Sequence, residues 1–104
     1  MSAALDEVLD EVMAERIRQD AKWGEQNHPD GTGVSEFQRE MAAWAKTAYE
    51  SDSTNGRITW YSVLLEEFYE AAAESDPSRL REELIQCAAV CVAWIESIDR
   101  RGAK

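Results

Sequence analysis

Apolar residues recur every three or four positions over much of this chain, which is the pattern of amphipathic α-helices. The first such segment is predicted to be a helix from about Ala3 to Lys22. The following stretch, Trp23–Gly33, is rich in turn-forming residues and is predicted to be a loop. The apolar positions of the first helix are Leu5, Val8, Leu9, Val12, Met13 and Ile17.

Capping residues predict where the next two helices begin. Ser35 followed by Gln38 is a capping-box pattern, and it predicts a second helix that fades near Ser51, where the sequence SDSTNG is expected to form a loop. Thr59 is a suitable N-cap for a third helix, which the sequence SDPS is expected to end at Ser75–Ser78.

The fourth helix is predicted from Asp76 as its N-cap and Pro77 at its first position. It should reach about Arg100, with Gly102 as a stop. No internal repeat and no low-complexity segment is present in the sequence. The predicted fold class is therefore all-α, a four-helix bundle-like protomer that forms a single domain over residues 1–104.

The fourth helix is apolar almost all round. Between Leu84 and Ile95, Gln86 is the only strongly polar residue. Such a helix is expected to be buried on every side, and a single four-helix protomer rarely covers one so completely. We therefore predict a homo-oligomer, most simply a homodimer, with Val90 and Trp94 near the subunit contact.

The charge excludes some classes of partner. A net charge of -10 argues against nucleic acid and against an anionic membrane surface, because both attract basic proteins. The acidic segment Met1–Val12 does not resemble a signal peptide, and a cytoplasmic protein is expected. Cys87 and Cys91 are interpreted as small buried hydrophobic residues, and His28 is too distant in sequence to favour a zinc site with them.

Carboxylates beside the apolar faces of helices three and four are candidate metal ligands. Helical spacing places Glu67 and Glu70 on one stripe, and the short break before helix four lets them face Glu83 and Gln86. Clustered carboxylates suit a hard divalent cation. The alternative is that these glutamates are solvated and paired with basic residues, although no lysine or arginine occurs within residues 59–78.

These segments resemble a known family, the MazG-like nucleoside triphosphate pyrophosphohydrolases. The sequence EEFYE at Glu66–Glu70 is similar to the family's EExxE motif, and ELIQ at Glu83–Gln86 occupies the place of its ExxD motif. The preceding RQDAKWGEQNHPDG and Trp60 are also similar to the small members. The resemblance extends over roughly Glu15–Arg100.

The resemblance implies the all-α NTP pyrophosphatase fold, as a dimer or a dimer of dimers. It also implies a house-cleaning hydrolase that depends on Mg²⁺, with Mn²⁺ as an alternative, and cleaves a nucleoside triphosphate to the monophosphate and pyrophosphate. Two other functions remain open. The chain is alternatively a nucleotide-binding protein of the same fold with weak or no hydrolysis, or a helical interaction module without a ligand.

Residue roles follow from the resemblance by position. Glu67, Glu70 and Glu83 would be metal ligands, and Gln86 would occupy the place of the family's last ligand, an aspartate. The amide of Gln86 removes one negative charge from that site. Glu66 and Glu67 would be the catalytic pair, with Glu66 as a supporting carboxylate or as the base that activates water.

The first loop is the candidate nucleotide-binding segment. Lys22 is suited to contact a phosphate, Trp23 to stack on a base, and Gln26 and His28 to form hydrogen bonds with a base or sugar. The alternative is that Trp23 fills the core and that the polar residues cap helix ends.

Overall fold

The computed structural model describes residues 2–102, and within this range the chain contains α-helices and no strands. The all-α prediction is therefore confirmed at the level of fold class. None of the described helices is both long and apolar enough to cross a membrane. The helices are α1 (Ala3–Trp23), α2 (Glu36–Thr54), α3 (Trp60–Ala73) and α4 (Pro77–Gly102).

Side-chain caps begin α2 and α3 where the sequence predicted them. The backbone N–H of Gln38 donates to Ser35 Oγ over 3.2 Å, and the Ser35 N–H donates to Gln38 Oε1 over 3.1 Å. At the start of α3, the N–H of Ser62 donates to Thr59 Oγ1 over 3.1 Å. These bonds satisfy backbone donors that a helix leaves unpaired at its first turn.

The prediction for the end of α2 was wrong, because the helix continues through Ser51 to Thr54. Asn55 explains the extension: its side-chain Nδ2 donates to the carbonyl of Ser51 over 2.8 Å, and its backbone N–H donates to the same oxygen over 3.1 Å. Asn55 therefore stabilises the last turn of α2, although asparagine is a turn-forming residue and on that basis was predicted to lie in a loop. Gly56, with a φ of 66°, then redirects the chain.

Asp76 begins α4 as predicted. Its Oδ2 accepts a hydrogen bond from the N–H of Arg79 over 3.0 Å, and its carbonyl accepts one from the N–H of Leu80 over 2.8 Å. The connection between α3 and α4 is therefore short, and it brings the end of one helix close to the start of the next.

The chain divides into two compact units. The first contains α1, the residues that follow it to Asp30, and α4 from Val92 onward; the second extends from Gly31 to Cys91. Because α4 is one continuous helix through this boundary, the boundary does not fall in a linker. The single domain remains a prediction.

Helices α2 and α3 pack against each other in the second unit. Ala45 of α2 and Ala71 of α3 are buried, as is Leu80 at the start of α4. Small side chains at such positions allow two helix backbones to approach closely. Trp44 and Tyr69 add an edge-to-face contact, with ring centroids 6.4 Å apart.

The end of the first long loop is attached to the end of α3. The N–H of Gly33 donates to the carbonyl of Ala72 over 2.8 Å, and Thr32 Oγ1 donates to the carbonyl of Glu74 over 2.6 Å. Gly33 has a φ of 64°, and a Cβ there would lie 2.7 Å from the backbone nitrogen of Ser75. Only glycine fits this approach without displacement, so the loop fixes the α3–α4 connection.

Part of the apolar surface of α4 is exposed in the single chain, as expected for a helix whose outer face was predicted to meet another subunit. Leu84 and Ile85 are each 53% exposed, and the Cys91 side chain is exposed, whereas Cys87 is half-buried. The apolar surface of α4 therefore lacks a complete covering within one protomer. Homo-oligomerisation stays a prediction.

Candidate functional site

Three carboxylates from α3 and α4 meet in the second unit. One oxygen from each of Glu67, Glu70 and Glu83 lies within 4.8 Å of the others. Helical spacing and the short connection had predicted this meeting. We refer to these three residues as the carboxylate cluster.

Two oxygens of the carboxylate cluster are buried without a hydrogen-bond partner. Glu67 Oε2 and Glu83 Oε2 are shielded from solvent, and neither is bonded to any residue between 2 and 102. Each side chain as a whole is half-buried. A buried oxygen without a partner loses the free energy of hydration, which a cation or a proton would restore.

The electrostatics of the carboxylate cluster are repulsive. Burial raises the pKa of Glu67, and the negative charge of Glu70 raises it further. Burial also raises the pKa of Glu83, with additional contributions from Glu70, Glu67 and Glu74. A hydrogen-bonding contact with Glu70 also raises the pKa of Glu83. The carboxylate cluster therefore holds more negative charge than its surroundings stabilise.

Glu66 lies at the side of the cluster and is influenced by α2. Burial raises its pKa first, followed by the charges of Glu70 and Glu67, whereas the ammonium group of Lys46 lowers it. Lys46 belongs to α2, so the absence of basic residues within 59–78 did not exclude a cation near the site. Sequence reasoning missed Lys46 because it belongs to another helix.

Gln86, predicted as a fourth ligand, is exposed, and its side chain forms no hydrogen bond within the described part of the chain. Its neutral amide adds no charge to the cluster. The ligand role of Gln86 stays a prediction.

Cys87 joins the carboxylate cluster to an apolar groove. Burial raises the pKa of its thiol, and the charge of Glu67 raises it further, so the thiol remains protonated. The groove has a volume of about 350 Å³ and almost no polar surface. Its lining consists of Tyr61, Leu64, Leu65, Phe68, Cys87 and Cys91. We refer to it as the α3–α4 groove.

The predicted nucleotide-binding residues lie in the first unit. Lys22 Nζ is 4.7 Å from the centroid of the Trp23 ring, and Trp23 is 58% exposed, so the alternative that it fills the core is wrong for the single chain. His28 Nε2 lies 3.0 Å from Gln26 Oε1. Gln26 also lines an open cavity of about 660 Å³ beside Arg16, which sequence reasoning did not single out.

Comparison with protein-family models, with curated proteins and with solved structures found no match for this chain. The resemblance to MazG-like hydrolases therefore depends on the motifs in the sequence, whereas the carboxylate cluster is described by its geometry alone, as a group of oxygens that could hold a metal ion.

Proposed function

We propose that this chain is a metal-dependent nucleoside triphosphate pyrophosphohydrolase, which cleaves a nucleoside triphosphate to the monophosphate and pyrophosphate. The observation that carries the proposal is the pair of buried, unbonded oxygens on Glu67 and Glu83. A divalent cation would satisfy both oxygens and offset the repulsion from Glu70.

The donor set fits Mg²⁺ or Mn²⁺. All three donors of the carboxylate cluster are oxygens, which are the ligands that hard divalent cations prefer. The protonated thiol of Cys87 makes a thiolate-bound soft ion less favourable. When bound, the ion supplies positive charge that offsets the phosphate oxygens of the substrate.

The residues around the cluster would hold and activate the reactants. Glu67, Glu70 and Glu83 would orient the ion. The raised pKa of Glu66 makes its carboxylate a better proton acceptor than an ordinary glutamate, so Glu66 would accept the proton of the attacking water. Lys22, Trp23, Gln26 and His28 belong to the first unit, and their role as nucleotide contacts stays a prediction.

A second candidate is a nucleotide-binding protein that hydrolyses weakly or not at all. Gln86 favours it, because a neutral and exposed amide stands where the resembling family has a ligand carboxylate. One negative charge fewer would lower metal affinity and leave nucleotide binding less affected.

We further propose that the α3–α4 groove is covered by a second copy of the chain. Its lining is almost wholly apolar, and Phe68 and Tyr61 are both more than half exposed. Contiguous exposed apolar surface of this kind is typical of subunit contacts. Light scattering at micromolar concentration should show a dimer or larger species, and a monodisperse monomer would contradict this part of the proposal.

The hydrolase is tested with a panel of nucleoside triphosphates in Mg²⁺ or Mn²⁺, scored for pyrophosphate release and for thermal stabilisation. Release of pyrophosphate supports the enzyme. Stabilisation without release supports the binding protein. If no nucleotide has either effect, both candidates fail and the interaction module remains.

A further inference from the structure

A second pocket lies between α2 and α3, and no step of the proposed hydrolysis uses it. Its volume is about 220 Å³, and all of its lining residues belong to the second unit. Ala45 and Ala48 leave space beside the aromatic rings of Trp44, Tyr49 and Tyr61. We refer to it as the α2–α3 pocket.

The Trp44 ring of the α2–α3 pocket is available for stacking. Trp44 is 53% exposed although it lines the pocket, whereas Tyr61 also lines the α3–α4 groove that a second copy of the chain is proposed to cover. The Trp44 ring is held in place by its edge-to-face contact with Tyr69, at an interplanar angle of 83°. An ordered, exposed aromatic face beside a cavity suits a planar ring, because stacking removes apolar surface from water.

One carboxylate gives the pocket its chemical preference. Asp52 Oδ2 accepts a hydrogen bond from Ser62 Oγ over 3.1 Å, and Ser62 Oγ lies 2.9 Å from Thr59 Oγ1. Asp52 Oδ1 is neither buried nor bonded within residues 2–102, and Asp52 forms no ion pair there. The carboxylate is therefore oriented, with one oxygen free, and an ionised carboxylate only accepts hydrogen bonds.

The α2–α3 pocket and the carboxylate cluster lie along the same helix. Ser62 precedes Glu66 by one turn and Glu70 by two, which is about 6 to 12 Å along the axis at 1.5 Å per residue. Lys46 follows the pocket residue Ala45 in α2, and its charge acts on Glu66, so this cation is close enough to the cluster to influence one of its neighbours. A ligand with a ring in the pocket would place attached phosphates near Lys46 and the cluster.

We infer that the α2–α3 pocket binds the base of the nucleotide and selects bases that carry an exocyclic amine, which donates to Asp52 Oδ1. Cytosine and adenine have such a donor, whereas uracil and hypoxanthine have a carbonyl oxygen at the same position. A carbonyl oxygen facing Asp52 would leave two acceptors opposed and unsatisfied. This inference rests on the proposed function, because it names the substrate class of that site.

The test uses pairs of nucleotides that differ in whether the base carries the exocyclic amine or a carbonyl oxygen. Affinities of the full-length protein for CTP and UTP, and for ATP and ITP, are measured by calorimetry with Mg²⁺. The amine-bearing member of each pair should bind about tenfold more tightly, the difference expected for one hydrogen bond and an avoided repulsion. Equal affinities within both pairs overturn the inference, whatever the variants do.

Variants then test whether Asp52 is responsible for the preference for an exocyclic amine. Asp52→Asn should reduce the preference to less than about threefold, because its amide both donates and accepts. The control Glu50→Gln, at an exposed position of the same helix, should leave the preference unchanged. Trp44→Leu should weaken all four nucleotides together. A preference that survives Asp52→Asn in a variant with an unchanged helical spectrum would refute the role of Asp52.

The outcome is separable from that of the hydrolase. Cytidine and uridine, measured without phosphate or metal, report on the α2–α3 pocket alone. The pocket would be supported and the hydrolase rejected if the protein prefers cytidine over uridine through Asp52 but releases pyrophosphate from no nucleotide. Pyrophosphate release at equal rates from both members of each pair, with equal affinities, would support the hydrolase and reject the pocket.

Discussion

The first loop and the carboxylate cluster are both rich in polar side chains, yet their bonding differs. In the loop, Asn27 Nδ2 donates to Glu25 Oε2 over 2.9 Å, and His28 pairs with Gln26. In the cluster, the buried oxygens of Glu67 and Glu83 lack a partner. Polar residues that satisfy one another locally need no ligand, whereas buried and mutually repulsive carboxylates are stable only if something else supplies charge or a proton.

The two motifs therefore differ in how strongly they indicate a functional site. The loop motif is the more distinctive in sequence, but its side chains are exposed and bonded to residues two positions away. The cluster motif consists of glutamates, which are common in helices, but its geometry is unusual. Buried polar atoms without a hydrogen-bond partner therefore identify a candidate site better than an uncommon sequence motif does.

The largest expected effect tests the cluster. Glu83→Gln should weaken Mg²⁺ binding by at least about tenfold, because it removes a charged ligand and leaves an amide that also carries donors. Isothermal calorimetry measures the affinity. Glu82→Gln, an exposed neighbour on α4, is the matched control and should bind as the wild type does. Equal Mg²⁺ affinity in the wild type and in Glu83→Gln would contradict the proposed metal site.

A second substitution tests the loop where it is attached to α3. Gly33→Ala should lower the free energy of unfolding by about 1–3 kcal/mol, because the new Cβ needs a positive φ and meets the backbone of Ser75. Urea denaturation measures the change. Gly31→Ala is the control: it also has a positive φ, but its Cβ would meet nothing within 4 Å, so it should destabilise less.

The pH dependence of stability tests the repulsion in the cluster. The pKa values of Glu67 and Glu83 are raised above their ordinary 4.5, so the folded chain binds more protons than the unfolded chain between 4.5 and the raised values. Their contribution to stability is therefore complete below pH 4.5 and decreases as pH rises through that window.

Thermal melting in chelator measures this effect as the difference between wild type and Glu83→Gln. As pH rises from 4.5 through the raised pKa values, the melting temperature of the wild type should fall relative to that of the variant, which lacks one of the raised groups. Saturating Mg²⁺ should oppose the fall in the wild type. A constant difference across this range would show that the cluster is not repulsive.

The smallest expected effect concerns the exposed part of the loop. Trp23→Leu should change the free energy of unfolding by less than about 0.5 kcal/mol, because the ring is exposed and contacts Lys22 at the surface. Nucleotide affinity measured on the same variant decides the separate question of ligand contact. A large loss of stability would show that Trp23 is covered in solution, and the contrast between loop and cluster would weaken.

Local signals predicted most of the secondary structure. Ser35, Thr59 and Asp76 begin their helices as N-caps, because the capping bond involves residues only three positions apart. The end of α2 was placed too early, since the bonds from Asn55 to Ser51 are not visible as a turn-former pattern. The meeting of Glu67 with Glu83 was predictable because helical period and a short connection determine it.

The remainder depended on contacts between distant segments. The charge of Lys46 on Glu66, the α2–α3 pocket and the approach of Gly33 to Ser75 all join residues from separate helices or loops. No periodicity predicts such pairs. The exposure of α4 also depends on what covers it, which the composition of the helix alone cannot specify.

The attachment of the first loop to α3 has a consequence for the order of folding. Its hydrogen bond from Thr32 to Glu74 joins residues 42 positions apart, whereas the capping bonds join near neighbours. Closing so long a segment costs more chain entropy than closing a turn, so we expect packing of α2 on α3 to precede the attachment. The attachment then forms late, and its loss is expected to accelerate unfolding while leaving the rate of folding nearly unchanged.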